Sequence, residues 1–247
     1  MDFLARFRVI EDKDKAAVVR KLMESSTPNF DFFYLTALSV IMATFGVIIN
    51  STSIVIGSML IAPVLYPILG VALGLSMSNT IVLQRSLFTL GKALSIGLGC
   101  SILAALFLGD GLMTAEILSR TTPSLIHFLV AVVSGAAVAF ALANPEWSST
   151  LPGVAISVAL IPPLAVVGVG IAYLDVAVIK GSSVLLIMNL FGVVFAAMVS
   201  FSLMNLYDKQ GIATSTIKKQ SEIQQKEQAA IAKEISNDEL ARKELES

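Results

Sequence analysis

Residues 53–76, SIVIGSMLIAPVLYPILGVALGLS, and residues 151–173, LPGVAISVALIPPLAVVGVGIAY, are apolar stretches of membrane length that each contain proline near the middle. Proline lacks a backbone N–H and its ring clashes with the preceding turn, so it leaves carbonyl groups without helical partners. Lipid cannot satisfy such groups, so a break survives only where protein or water covers it. Two interrupted segments in corresponding places of two halves point to the binding site of a transporter-like protein.

The composition of the whole chain is that of an integral membrane protein. Of its 247 residues, 55% are hydrophobic and 14% are charged, and the mean hydropathy is +0.82. The net charge is only -1, but the charged residues are concentrated in the two terminal segments: most of them lie before Pro28 or after Tyr207. This composition excludes an ordinary soluble domain. The single cysteine, Cys100, permits no intramolecular disulfide.

Six apolar segments are predicted to cross the membrane. They lie at about residues 30–49, 53–76, 86–108, 124–143, 151–174 and 182–206, each with about 20 residues or more. A cytoplasmic amphipathic helix (residues 1–27) is expected before this membrane domain (residues 28–207). A charged cytoplasmic helical tail (residues 208–247) is expected after it, as a solvated helix.

The two halves of the membrane domain share one pattern. Each has a plain span, a short link, a proline-containing span, a longer link and a plain span, and Ser58 precedes Pro63 by the same spacing as Ser157 precedes Pro162. Three spans is an odd number, so full crossing would place the second half upside down relative to the first. The predicted fold is therefore an all-α membrane protein of two inverted three-helix repeats (about residues 28–108 and 124–207), with segments 2 and 5 broken by proline.

An alternative topology makes each broken segment a re-entrant hairpin, which would turn the repeats parallel. The lack of glycine within either break favours full crossing. Lysine and arginine are frequent in both tails, so both termini are expected in the cytoplasm and the protein in the cell's inner (cytoplasmic) membrane.

The first half also resembles a known family. The stretches PNFDFFYL (residues 28–35), GVIINSTS (residues 46–53) and IGSMLIAPVLYP (residues 56–67) are similar to the uncharacterised hydrophobic membrane family called domain of unknown function 389. The resemblance extends over roughly residues 20–205. It implies a fold with several membrane spans and brings no established chemistry and no catalytic residue.

The predicted site lies where the two broken segments meet near the middle of the membrane. A proline can begin a new half-helix, whose free N–H groups and positive dipole end face the gap, while the preceding half-helix ends in free carbonyls. The residues expected to line this site are Ser58, Ala62, Pro63, Pro67, Ser157, Ile161, Pro162 and Pro163, with Lys92 and Asn189 as further candidates.

The last two candidates each have a structural alternative. Lys92 lies inside segment 3, where it either attracts an anion into a cavity or extends its ammonium group to the cytoplasmic surface. Asn189, in the middle of segment 6, either binds a ligand or forms a hydrogen bond between helices. The serine hydroxyls likewise either bind a ligand or bond to their own helix backbone.

These features favour a transporter for a small polar or anionic solute or ion. An oligomeric ion channel and a non-transporting scaffold or sensor that acts through its charged tails are the alternatives. No catalytic or metal-ligating pattern is present, so neither an enzyme, a metal site nor a cofactor is expected. The expected partners are the lipid bilayer, the solute and other copies of the chain, because small-xxx-small pairs such as Gly70 and Gly74 favour close helix packing. No nucleic-acid partner is expected.

Overall fold

The computed structural model of the protein describes residues 12–26, 28–143 and 152–245, and within these ranges it contains helices and no strand. The predicted helical residues 1–11 and the link at residues 144–150 lie outside the described part. The helices are α1 (Asp12–Ser25), α2 (Phe30–Ile48), α3 (Thr52–Met59), α4 (Leu65–Ser76), α5 (Thr80–Leu108), α6 (Ala115–Leu118), α7 (Leu125–Ala143), α8 (Pro152–Ala172), α9 (Val176–Leu203), a 3₁₀ helix (Leu206–Lys209) and α10 (Gln210–Leu245).

Four helices of the described part are long and apolar enough to cross a membrane: α2, α5, α7 and α9. The second apolar segment is divided between α3, with 8 residues, and α4, with 12 residues. Helix α4 and the Leu160–Ala172 part of α8 are also apolar but shorter. The protein is therefore an all-helical protein with the apolar helices of a membrane protein.

The predicted break in the fifth segment is wrong. Helix α8 continues from Pro152 to Ala172 with Pro162 and Pro163 inside it. Every residue from Leu160 to Gly170 is buried, and α8 packs against α2, α3, α5, α7 and α9. Because α8 is enclosed by other helices over this stretch, it is not exposed to lipid there, and such surroundings tolerate proline within a helix.

Helix contacts in the first half have counterparts in the second half. Helix α2 packs against α5 as α7 packs against α9, and α4 packs against α5 as α8 packs against α9. Between the halves, α5 lies against α8 and α9 lies against α4. The proline-containing second helix of each half therefore packs on the third helix of both halves.

One turn geometry joins α4 to α5. The Asn79 N–H donates to the Gly74 carbonyl at 2.9 Å, and Ser78 between them adopts a left-handed φ of 51°. The Asn79 side chain accepts hydrogen bonds from the backbone N–H groups two and three residues on, which caps α5. Asn79 also donates to the Thr214 hydroxyl of α10 at 3.2 Å, so this turn lies at the α10 end of the bundle.

The same geometry joins α8 to α9. The Asp175 N–H donates to the Gly170 carbonyl at 2.9 Å, Leu174 has a φ of 57°, and the Asp175 side chain caps α9. The neighbouring Tyr173 packs on the cluster that contains Val47, in the last turn of α2, and Ile117 of α6. The second turn therefore lies at the opposite end of the bundle from the first. Equivalent turns thus follow the second helix of each half, and the two turns lie at opposite ends of the bundle.

Helices α1 and α10 pack together at one end of the bundle. Val18, Val19, Leu22 and Met23 of α1 are buried in the main core, as expected for an amphipathic helix. The charged tail, expected to form a solvated helix, is partly buried: Ala213 and Ile217 of α10 are 0% and 6% exposed, since they complete the same core.

Candidate functional site

The helix interruption between α3 and α4 is the centre of the candidate site. The helix stops at Met59 and resumes at Leu65, with Pro63 in the intervening turn. Ala62 and Val64 are buried in the main core, which also contains Leu160 and Ile161 of α8. The inner side of the interruption therefore belongs to the same core as the proline-containing part of α8, and α3 and α4 both pack against α8, whereas Leu60 and Ile61 are exposed on the outer side.

A serine of α2 closes the end of α3. The Ser39 hydroxyl donates to the Ser58 carbonyl at 2.7 Å, and the Ile61 N–H donates to the same carbonyl at 3.2 Å. The Ser58 hydroxyl is fully buried and donates to the Val55 carbonyl of its own helix at 2.6 Å. The structure thus places the Ser58 hydroxyl on its own backbone, while its carbonyl meets a neighbouring helix.

A second set of hydroxyls links three helices beside this point. Thr44 of α2 lies 2.9 Å from the Ser101 hydroxyl of α5 and 2.8 Å from the Val40 carbonyl. Ser101 donates to the Ala165 carbonyl of α8 at 2.8 Å. Thr44, Ser101 and Ser39 are all buried. Sequence reasoning missed them, since serine and threonine are common in apolar spans and only helix packing shows which of them face a neighbour.

Pro63 is half-buried, whereas the other proline residues of the site are buried. Pro67 lies in the first turn of α4, and Ile161, Pro162 and Pro163 lie within α8. When the α4–α5 and α8–α9 turns are aligned, Pro67 corresponds to Pro163, which differs from the predicted pairing of Pro63 with Pro162. The Ser157 side chain lies outside the described part, although its backbone belongs to α8.

Lys92 and Asn189 lie away from the interruption in sequence and on other helices. Lys92 is exposed on the outer face of α5, and its ammonium group lies 4.5 Å from the centre of the Phe88 ring. Asn189 is 6% exposed on the side of α9 turned to the bundle. The structure therefore does not bring Lys92 into the same interior region as the proline residues.

The electrostatics of the site come from backbone dipoles and hydroxyls. The sequences of α3, α4 and α8 contain no charged residue. No side chain caps the start of α4 at Val64, so its first N–H groups present the positive end of the helix dipole to the interruption. Among the described residues, no group of three or more His, Cys, Asp or Glu could hold a metal ion. This arrangement suits a weakly bound polar group or ion.

Comparison with known proteins gives a family and no activity. The family described as Domain of unknown function (DUF389) matches residues 59–195, more than half of the chain. An uncharacterised protein of Methanocaldococcus jannaschii is 30% identical over 167 residues, which cover 67% of this chain and 51% of that protein. The chain thus spans about half the length of that relative. No solved structure matches the chain. The chain belongs to the DUF389 family of proteins, whose domain has no assigned function.

Proposed function

We propose that this protein is a membrane carrier for a small polar or anionic solute or ion, with its binding site at the interruption between α3 and α4. The observation that carries the proposal is the position of this interruption. Its inner side, at Ala62 and Val64, is buried in the bundle, whose α3 and α4 pack against α8 of the other half, and no side chain caps the start of α4. Interrupted helices at the interface of two repeats are the sites of many secondary carriers.

The equivalent turns at opposite ends of the bundle support an inverted repeat. The Gly74–Asn79 turn contacts α10, whereas the Gly170–Asp175 turn lies at the other end. An inverted pair of three-helix halves requires this arrangement, because the second helix of each half must end on opposite sides. Such a repeat would cross the membrane six times with both termini on one side, which the lysine and arginine residues of the tails assign to the cytoplasm, and rocking of one half against the other would open the site alternately to each side.

The inner side of the interruption is closed in this structure, although Leu60 and Ile61 on its outer side are exposed. Ala62, Val64 and Ile161 are 6%, 4% and 1% exposed. A solute would therefore enter only when the halves separate along α4 and α8. The polar groups at the interruption are neutral hydroxyls and backbone dipoles. They favour a ligand that does not require a charged side chain for binding.

Ligand-dependent thermal unfolding of the purified full chain tests the proposal. Ions, amino acids, organic acids and nucleosides are titrated, and a solute that binds the folded state alone stabilises it by about 2.7 kcal/mol at 100 times its Kd. We expect one solute class to give a saturable shift, and Ser39→Ala, which removes the hydroxyl at the end of α3, to weaken its affinity.

Thr36→Val is the matched control. Thr36 is also a buried hydroxyl of α2, one turn before Ser39, but it donates to the Phe32 carbonyl of its own helix at 2.8 Å. It should keep the wild-type affinity. The proposal is contradicted if no solute stabilises the wild type, or if Ser39→Ala and Thr36→Val bind the solute equally well.

A further inference from the structure

An outward-facing groove runs between the start of α2 and the first half of α5. It has a volume of about 640 Å³ and is lined by Phe33, Leu87, Phe88, Gly91, Lys92, Ser95 and Ile96. Gly91 gives the groove its depth: a Cβ atom added there would meet no other atom within 4 Å. From Leu87 to Ile96 the helix rises by about 13 Å, which accommodates the upper part of an acyl chain.

Aromatic residues place one end of this groove at the membrane surface. Phe30 and Tyr34 of the first α2 turns are 79% and 54% exposed and stack with ring centres 5.9 Å apart. Exposed aromatic rings at a helix end are typical of the headgroup region of a bilayer. Phe33 of the same turn lines the groove together with Lys92, so the lysine lies near that region.

Lys92 gives the groove a positive charge. It is the one charged residue in the sequence between Arg85 and Asp110, and its ammonium group lies over the Phe88 ring at 4.5 Å. The acidic residue of the neighbouring α2 turn, Asp31, does not line the groove. A cation above an apolar trough at headgroup depth matches a phosphate joined to acyl chains.

We propose that this groove binds one anionic glycerophospholipid, with its phosphate at Lys92 and an acyl chain along Gly91, Ser95 and Ile96. A net negative lipid is favoured over a zwitterionic one, since the choline of the latter carries its own positive charge. A second copy of the chain fits less well, because twofold contact through this face would bring two Lys92 residues together. The expected preference is about fivefold, from one lysine near the surface.

Native mass spectrometry of the purified full chain, with dioleoyl phosphatidylglycerol and dioleoyl phosphatidylcholine in parallel, tests this. We expect the wild type to bind phosphatidylglycerol about fivefold more tightly. Lys92→Gln should remove the preference, whereas Lys180→Gln, at an exposed lysine near the other end of the bundle, should keep it. Gly91→Leu should weaken the binding of both lipids because its side chain occupies the trough, into which a Cβ at this position points without meeting another atom within 4 Å.

Three results would overturn the proposal. The first is equal binding of the two lipids by the wild type, or a preference that survives Lys92→Gln. The second is a similar effect from glycerol phosphate without acyl chains, which would indicate a site for a soluble anion. The third is dissociation of a dimer by Gly91→Leu or Lys92→Gln with no change in lipid binding to the monomer, which would make this face an interface between copies.

Discussion

At the scale of single residues, buried hydroxyls link neighbouring helices within the apolar bundle. Ser39 and Ser101 each donate to a carbonyl of another helix, at 2.7 and 2.8 Å, within apolar surroundings. The sequence singled out Ser58 by its spacing from Pro63, but its hydroxyl donates within its own helix. Spacing along the chain reveals which residues share a segment and does not reveal which of them face a neighbouring helix.

Ser101→Ala should destabilise the protein by about 0.5–1.5 kcal/mol, because it removes the bonds that join Thr44, Ser101 and the Ala165 carbonyl. The measurement is chemical unfolding in detergent micelles. Ser95→Ala is the control, since Ser95 is exposed and donates to the Gly91 carbonyl of its own helix. Thr44→Val combined with Ser101→Ala should cost less than the sum of the two changes. Equal stability of Ser101→Ala and Ser95→Ala would contradict this interpretation.

At the scale of helices, proline alone does not decide where a helix stops. The second and fifth apolar segments both contain proline near the middle, yet α3 ends before Pro63 and α8 continues through Pro162 and Pro163. The helix-disrupting rule is local, whereas the satisfaction of freed carbonyls depends on neighbours. The existence of the apolar helices and of α1 could be predicted from hydrophobic patterning, but the continuity of α8 could not.

The turns between helices depend on close approach at glycine, so Gly74→Ala and Gly170→Ala should each destabilise the protein by about 1–3 kcal/mol. A methyl group at Gly74 would lie 2.7 Å from the Leu83 nitrogen, and one at Gly170 would lie 2.9 Å from a Val178 methyl group. Gly99→Ala, where a methyl group meets nothing within 4 Å, is the control and should be neutral or stabilising. Unfolding midpoints that do not separate the first two variants from the control would contradict the turn geometry.

At the scale of the whole molecule, the terminal helices belong in part to the membrane bundle. Arg85 of α5 donates to the Ser221 hydroxyl at 2.5 Å, and Gln224 donates to the Pro28 carbonyl. The high charge of the tail suggested a solvated helix. Composition averages over a whole segment, so it does not reveal a few buried positions such as Ala213 and Ile217. The first turns of α10 are therefore structural, and the proposed site can be tested only with them present.

Truncation should distinguish the first turns of α10, which pack on the bundle, from the remainder of the helix. A chain that ends after Gln228 keeps every hydrogen bond described above and should unfold at the wild-type midpoint. A chain that ends after Lys209 loses the burial of Ala213 and Ile217 and should be less stable by at least about 2 kcal/mol. Thermal unfolding of the two purified chains is the measurement, and equal stability would show that α10 does not support the bundle.

The inverted arrangement of the two halves is the central claim of the carrier proposal, and cysteine labelling tests it most directly. Thr80 and Val176 are the exposed first residues of α5 and α9, after the two equivalent turns. Each is changed to cysteine in a Cys100→Ser chain and labelled in intact cells with a maleimide that does not cross membranes. We expect Val176→Cys to react in intact cells and Thr80→Cys to react only after permeabilisation. Labelling of both positions from the same side would contradict an inverted repeat and the carrier mechanism built on it.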